Sequence, residues 1–514
     1  MNDPTSAETA EHKRFQALQA RFAAQYEEVF ARFEAPRTIV ILPSLSLDHE
    51  ILEKIAGAIH YEQRFLCLLF LLRFPNAKII YVTSLPTPPA IVDYYLHCLP
   101  GVPKDHAMAR LHLLSCHDAS HRPLTAKVLE RPRLIDRIKR LIDEPRRAHL
   151  TCFSVTALER RLALMLETPI YGCDPALAPL GSKSGSRRLF REAGVRAADG
   201  VEDLADGEAA AEALTALKRR TPGLRRAVVK LNEGFSGDGN ALFDFTGAPE
   251  GAALSPWIKE RLPKMRFVAA DMEWGLFAAK LREMGGVAEA FVEGRPKRSP
   301  SVQLRVDPGG ALEVISTHEQ VTGGASGQVF EGCVFPADAA YRAEIQAAAR
   351  RVGERLREEG ALGRFAVDFI SVRDGREWVH YAVEINLRKG GTTHPFLTLQ
   401  CLTEGACDPD TGIYRSAAGK ALYYYATDTL QEPHYRGLTP DDLIEIAVAN
   451  ELHFHAVRQE GVVFHLIGAL SEHGKLGAVC IAGSPAAARR LFQRTKEVLD
   501  REGRRGLAHG APEP

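Results

Sequence analysis

Between residues 363 and 395 the chain reads GRFAVDFISVRDGREWVHYAVEINLRKGGTTHP, and its polar residues are of the kinds that hold metal ions and phosphate. Asp368 ends one apolar run. Glu384 and Asn386 close the next, and Arg388 follows at once. Side chains alternate faces along a strand, so Glu384, Asn386 and Arg388 point the same way. The Arg373, Asp374, Gly375 triplet reads as the turn of a hairpin. Two carboxylates and an amide oxygen on one ledge are hard donors. They suit Mg²⁺, which is commonly held by one or two carboxylates together with substrate phosphates. The same residues also suit a surface hairpin with an ion-pair network, because structural ion pairs cluster too.

A second group lies upstream. Lys230 ends the apolar strand AVVK and precedes the loop NEGFSGDGN. Gly234, Gly237 and Gly239 let the backbone approach an anion closely, and successive amides can form a nest around phosphate. The loop returns into a strand, so it reads as a hairpin flap rather than a Walker loop, which needs Gly-Lys opening a helix. An ordinary flexible hairpin fits the same pattern. Lys183 starts a helix, where a cation is unfavourable with the helix dipole unless an anion lies nearby. A solvated lysine fits equally. EAFVEG at residues 289–294 reads as a short strand rising into a Gly turn.

The elements that must position these residues alternate. RTIVILPSL, AKIIYVTSLP, RLHLLS and HLTCFSV read as strands separated by helical stretches, among them ILEKIAGAIHYEQRFLCLLFLLRF. That order argues for a parallel α/β sheet over residues 37–175, with no GxGxxG turn for a dinucleotide. From residue 180 the texture changes to hairpins, with a Pro-Gly-Gly turn after SVQLRVD. The C-terminal stretch is expected to hold two helices, opened by Thr439 with Pro440 and by Ser484 with Pro485, and the strands ALYYYATDTL, HFHAV, GVVFHLIGAL and KLGAVCIA. The expected division is an N-terminal helix (1–36), a Rossmann-like domain (37–175), a two-lobed domain (176–408), a separate small α/β domain (409–505) and a frayed tail (506–514). The fold class is therefore α/β and α+β, multidomain.

Bulk properties exclude several classes. At 514 residues the chain needs more than one core. Its 65 Lys and Arg balance 65 Asp and Glu, so no net field recruits nucleic acid or an anionic membrane. The apolar run 65–72, between Arg64 and Arg73, is far short of the ~20 residues that span a bilayer. The first 36 residues read as a polar amphipathic helix rather than a signal peptide. Nine cysteines without CxxC spacing suit a reducing cytoplasm.

The order of parts is specific. A Lys before a helix, a Lys-ended strand with a Gly-rich flap, an E-x-x-x-E-G strand, and D…E-x-N-x-R on paired strands together resemble the ATP-grasp superfamily of carboxylate–amine ligases. The match covers about residues 176–405, with DF…EINLRKGG its most specific part. The region in front resembles a pre-ATP-grasp domain, and GVVFHLIGALSEHGKLGAVCIAGSP is similar to the C-terminal module of pheganomycin-type peptide ligases. The resemblance implies that Lys183 and Lys230 hold the phosphates of ATP under a flap made of Glu233, Gly234, Ser236, Gly237 and Gly239. It implies that Glu289 and the backbone of Ala290, Phe291 and Val292 recognise adenine. Asp368, Glu384 and Asn386 would bind Mg²⁺, and Arg388 would stabilise the transferred phosphoryl group. Two positions depart from the pattern. Pro296 stands where many members carry a ribose-binding Glu, a role left to Glu293. Ala366 stands two residues before Asp368 where an Arg is expected, a role left to Arg305 or Arg364.

The implied reaction joins a small-molecule or peptide carboxylate to an amine through an acyl phosphate. A small-molecule kinase and a non-catalytic nucleotide-binding relative are the rival readings. A homodimer stays open. His112, Cys116, His117 and His121 have a spacing that could gather zinc, although tighter Cys/His pairs are usual. Thr317, His318, Glu319 and Gln320 are expected near the acceptor side, and Thr392, Thr393 and His394 at the phosphate end. His453, His455 and His465 are expected in packing or at a rim.

Overall fold

The computed structural model describes residues 6–30, 32–46, 52–53, 55–234, 239–269, 271–323 and 329–510. The first sheet is formed by β1 (Arg37–Leu42), β2 (Ala77–Thr83), β3 (Leu111–Ser115) and β4 (Ala148–Cys152). All three pairings are parallel, in the order β3-β2-β1-β4. β1 and β4 are buried throughout, which is why their sequences are nearly continuous apolar runs. The helix Ser6–Gln25 lays Phe15, Leu18 and Phe22 inward at helical spacing. The apolar run 65–72 lies inside a 3-10 helix, Ala58–Arg73, whose second half is almost wholly buried. Runs of that geometry longer than a few residues are uncommon, and this one carries Tyr61 and Arg64 to the interdomain cleft.

The next sheet is antiparallel. It contains β5 (Gly200–Leu204), β6 (Arg226–Leu231), β7 (Asn240–Asp244), β8 (Arg266–Phe267) and β9 (Gly286–Ala290), in the order β5-β9-β6-β7-β8. The Lys-ended strand is β6, and the Gly-rich loop joins it to β7. Residues 235–238 of that loop, and with them Ser236 and Gly237, lie outside the described residues.

A nine-stranded sheet holds the rest together. Its first members are β10 (Lys297–Arg298), β11 (Pro300–Val306), β12 (Leu312–Gly323), β13 (Val329–Phe335), β14 (Gly363–Asp374) and β15 (Glu377–Asn386). After a small ribbon of β16 (Ala406–Cys407) and β17 (Tyr414–Arg415), it continues through β18 (Tyr423–Gln431), β19 (Gly461–His465) and β20 (Lys475–Ala482). The order is β10-β14-β11-β12-β13-β18-β20-β19, with β15 on β14.

The expected boundary at 408/409 falls between strands of this one sheet. β18 pairs with β13 from Gly332↔Thr427 to Phe335↔Tyr424, so the C-terminal strands extend the central sheet. HFHAV makes only isolated bridges. One hydrophobic cluster runs from Phe65, Tyr81 and Tyr95 through Phe396 and Leu399 to Phe464, Val479 and Leu499. Hydrogen bonds cross the same seam: Tyr95 Oη donates to the Phe464 carbonyl at 3.0 Å, and the Gly468 N–H to Gln63 Oε1 at 2.9 Å. Both capped helices form as expected. Thr439 and Asp442 make a reciprocal capping box on Pro440–Ala449, and the Ala487 N–H donates to Ser484 Oγ at 3.2 Å. The helix Pro485–Gly510 continues into the segment expected to fray.

Among the described residues no helix is long and apolar enough to cross a membrane, and all nine cysteines are free. Truncation after residue 408 strips β18 from β13 and opens the shared cluster. It is expected to remove cooperative unfolding, checked by a thermal melt of the truncated chain against the full one.

Candidate active site

The ledge forms as strand alternation requires. β14 and β15 set Asp368 opposite Glu384 and Ala366 opposite Asn386. β11 sets Ser301 on the other side of Asp368. The hairpin turns at Gly375, whose φ of 60° is the left-handed conformation glycine adopts without strain. Asn386 Nδ2 donates to Asp368 Oδ2 at 3.0 Å.

Lys183 is brought to this ledge by its helix start. Ser182 caps the helix Lys183–Glu192, its Oγ accepting from the Gly185 N–H at 3.0 Å. Asn232, just past β6, clamps the same turn. Its Oδ1 accepts from the Ser184 N–H at 2.9 Å and its carbonyl from the Lys183 N–H at 3.2 Å. Lys183 Nζ then meets a Glu384 oxygen, and Lys230 Nζ meets Glu289. Lys389 is buried beyond the ledge. Its Nζ donates to the Cys152 carbonyl at 2.5 Å, pinning the end of β15 to the end of β4. Burial pushes that ammonium down to about 8.

These side chains converge on a cavity of about 310 Å³. Of the expected residues, Lys183, Lys230, Gly234, Gly239, Asp368, Glu384, Asn386 and Arg388 line it, with Ala366, Gln320 and Thr392. Burial and the neighbouring Glu384 push the Asp368 carboxyl from 3.8 to about 6, against hydrogen bonds from Ser301 and Gln320. Glu384 goes the other way. Burial alone would raise it, but Lys183, Arg388 and Lys230 hold it below its ordinary value. The two facing carboxylates thus have pKa values pushed apart by their surroundings.

Other expected residues fall elsewhere. Glu289 is buried under the ledge, paired with Lys230 and, at 2.7 Å, with Arg187. The strand of EAFVEG ends at Ala290, whose N–H donates to Asp199, as that of Phe291 does to Arg226. Ala290, Phe291, Val292, Glu293 and Glu233 do not line the cavity, and Glu293 makes a two-pronged pair with Arg226 at 3.0 and 2.6 Å. Arg305 and Arg364 lie apart from the ledge. Their strand positions share a rung, but it lies four residues along the ladder from the Ser301↔Asp368 pair, where Arg305 pairs with Glu313 at 2.5 Å and Arg364 reaches Gln400. Neither lines the cavity. Of the stretch 317–320 only Gln320 faces it. Thr317 accepts from the Ala337 N–H, His318 meets Tyr424 Oη at 2.6 Å, and Glu319 meets Tyr341. Cys116 is buried while His117 and His121 are exposed, and these do not gather with His112 among the described residues.

Comparison with known proteins bears on the chain as a whole. The chain is 32% identical over 475 residues to an L-propargylglycine–L-glutamate ligase of Streptantibioticus cattleyicolor, covering 90% of this chain and 94% of that one. A family model described as IQCH-like ATP-grasp matches residues 175–265 and 256–408. The chain belongs to the ATP-grasp superfamily. A model described as the PGM1 C-terminal domain matches residues 442–495 of this ATP-grasp protein. It is 23% identical to IQ motif-containing protein H of Danio rerio over 72% of its own length, but spans only 40% of that protein. The biotin carboxylase domain of Hydrogenobacter thermophilus 2-oxoglutarate carboxylase, solved with MgADP, shares the fold at a TM-score of 0.52 and 11% identity, over 88% of each chain.

The ATP-grasp cavity also contains residues that sequence reasoning missed. Tyr61 and Arg64 come from the 3-10 helix, Phe153 follows β4, and Asp428 and Thr429 come from β18. Arg64 pairs with Asp428 at 2.8 Å. Asp428 Oδ1 also accepts from His465 Nε2 at 2.6 Å and lies 3.2 Å from His394 Nε2. All are buried. The only sequence signal was a charge flanking an apolar run and a lone Asp in a strand of alternating aromatics.

The Asp368 carboxyl, raised to about 6 in the fold, contributes stability at low pH that is lost as pH rises through that value. Asp368→Asn removes the like-charge contact. Without nucleotide it is expected to melt above the wild type near neutral pH, by on the order of 1 kcal/mol, with the gain vanishing near pH ~4. Thermal denaturation at the two pH values checks this.

Proposed function

We propose that this protein is an ATP-dependent ligase that joins a carboxylate to an amine through an acyl phosphate, releasing ADP and phosphate. The observation that carries the reading is the convergence of Lys183, Lys230 and Arg388 with Asp368, Glu384 and Asn386 around one cavity in an ATP-grasp chain. The relative from Streptantibioticus cattleyicolor, by its name, links two amino acids, which makes amino acids or peptides the first substrates to try.

In this reading Lys183 and Lys230 bind the ATP phosphates, and the loop 233–240 covers them. Adenine lies toward Glu289 and the backbone of Ala290, Phe291 and Val292, with Glu293 at the ribose. Asp368, Glu384 and Asn386 fit Mg²⁺, because two facing carboxylates and an amide oxygen are hard donors whose like charges call for a cation. Bound there, Mg²⁺ neutralises charge on the transferring phosphoryl group. Arg388 stabilises the same group from the protein side. A carboxylate oxygen of the acid attacks the γ-phosphorus, and the bond to ADP breaks with its electrons. The amine nitrogen then attacks the carbonyl carbon and expels phosphate. No protein nucleophile is needed, so positioning and exclusion of water do most of the work. β18 brings Asp428 and Thr429 to the cavity, so the C-terminal segment shapes the acceptor side.

Glu384→Gln and Asn386→Ala are expected to keep the fold and to lower turnover on the order of 100- to 1000-fold, as for groups acting mainly in the transition state. The assay is Mg²⁺-dependent ADP release with pooled L-amino acids, with and without an amine. Formation of AMP and pyrophosphate, or near-wild-type turnover in either variant, contradicts the reading.

A further inference from the structure

Arg64 is a guanidinium with hydrogen-bonding capacity to spare. It is 7% exposed and lines the cavity. One of its terminal nitrogens meets Asp428 Oδ2 at 2.8 Å, and its flat face lies 3.9 Å from the Tyr61 ring centroid. Its Nε is buried with no hydrogen-bond partner. Buried N–H groups of this kind are rare in folded proteins unless a ligand or water completes them.

Its surroundings say which kind of ligand. Arg64 and Arg388 both flank Phe153, at 6.0 and 5.7 Å from its ring centroid. Two guanidinium groups on one aromatic side chain repel unless an anion joins them. The charges form a series across the cavity. Lys183 meets Glu384, Glu384 is influenced by Lys230 and Arg388, and Arg388 is next to Arg64. Arg64 therefore stands at the end of the series away from Lys230, which is paired to Glu289 of β9.

Asp428 is not free to leave Arg64. Its other oxygen is held by His465 at 2.6 Å, and His394 and His465 lie 3.0 Å apart nitrogen to nitrogen. Gly477 makes room for that imidazole, since a Cβ there would lie 2.0 Å from His465 Nε2. The guanidinium is thus oriented by a buried carboxylate that two histidines fix in place.

We propose that Arg64 receives the carboxylate of the acid substrate. It holds one oxygen free beside Arg388 to attack the γ-phosphorus, and stays on the acyl phosphate after ADP departs. Asp428, His394 and His465 are positioning residues. The inference rests on the ligase reading and names which domain recognises the acid: the N-terminal one, locked by the C-terminal strands.

The test uses the full chain with MgATP, a pool of the common L-amino acids and hydroxylamine, which traps acyl phosphates as hydroxamates. Calorimetry with the non-hydrolysable analogue AMP-PCP and Mg²⁺ runs in parallel. Arg64→Met is expected to raise the KM for the acid pool on the order of 10- to 100-fold while leaving analogue affinity within about twofold. Arg64→Lys is expected to recover part of the loss, and it serves if Arg64→Met fails to melt cooperatively. Asp428→Asn is expected to raise the acid KM less than Arg64→Met, with nucleotide affinity again unmoved. An unchanged acid KM in both Arg64 variants overturns the proposal, and so does a loss of analogue affinity in step with it, which would assign Arg64 to the nucleotide. A wild type that binds analogue yet traps no hydroxamate defeats the ligase reading itself, and is seen without any variant.

Discussion

Asp368 and Glu384 face each other across one rung of an antiparallel ladder, in an interior where neither charge is well hydrated. Burying two like charges together is unfavourable unless cations meet them. The protein meets this pair with Lys183 from a helix start, Lys230 from a neighbouring sheet and Arg388 from the chain just past the ledge. Each cation is itself oriented from behind. Asn232 stitches the Lys183 turn to β6, and Glu289 with Arg187 fixes Lys230. The site is therefore a set of alternating charges, and removing one of the cations leaves a buried carboxylate uncompensated, a costly change in a low-dielectric interior.

The same logic explains why the three parts of the chain cannot be separated. Lys389 ties β15 to β4 of the parallel sheet. Arg64 of that domain reaches Asp428 of β18, and β18 completes the sheet that carries the ledge. A cluster of apolar residues from all three parts fills the space behind. Rigid support of this kind is what transfer chemistry demands, because small misplacements of reacting groups cost large factors in rate.

Much of this was legible in the sequence where the signal is short-range. The parallel strands, the capped helices at Thr439 and Ser484, the ledge and the Lys-ended β6 all follow from side-chain alternation, capping chemistry and apolar runs, which involve neighbours a few residues apart. Lys183, Lys230, Asp368, Glu384, Asn386 and Arg388, which line the cavity, belong to such local patterns. Arg305 shows where that reasoning stops. Its rung lies beyond the cavity, and register between strands is set by the whole sheet.

The sequence by itself determined the chemistry available: two carboxylates and an amide on one ledge, two lysines, a glycine-rich loop and an arginine. Tertiary structure alone decided what completes them. Arg64 and Asp428 stand far apart in the chain, and no periodicity links a charge flanking an apolar helix to an acid in a distant strand. Their pairing exists because β18 docks on β13 and the 3-10 helix packs into the shared apolar cluster, and such docking depends on the summed burial of many apolar residues rather than on any local pattern.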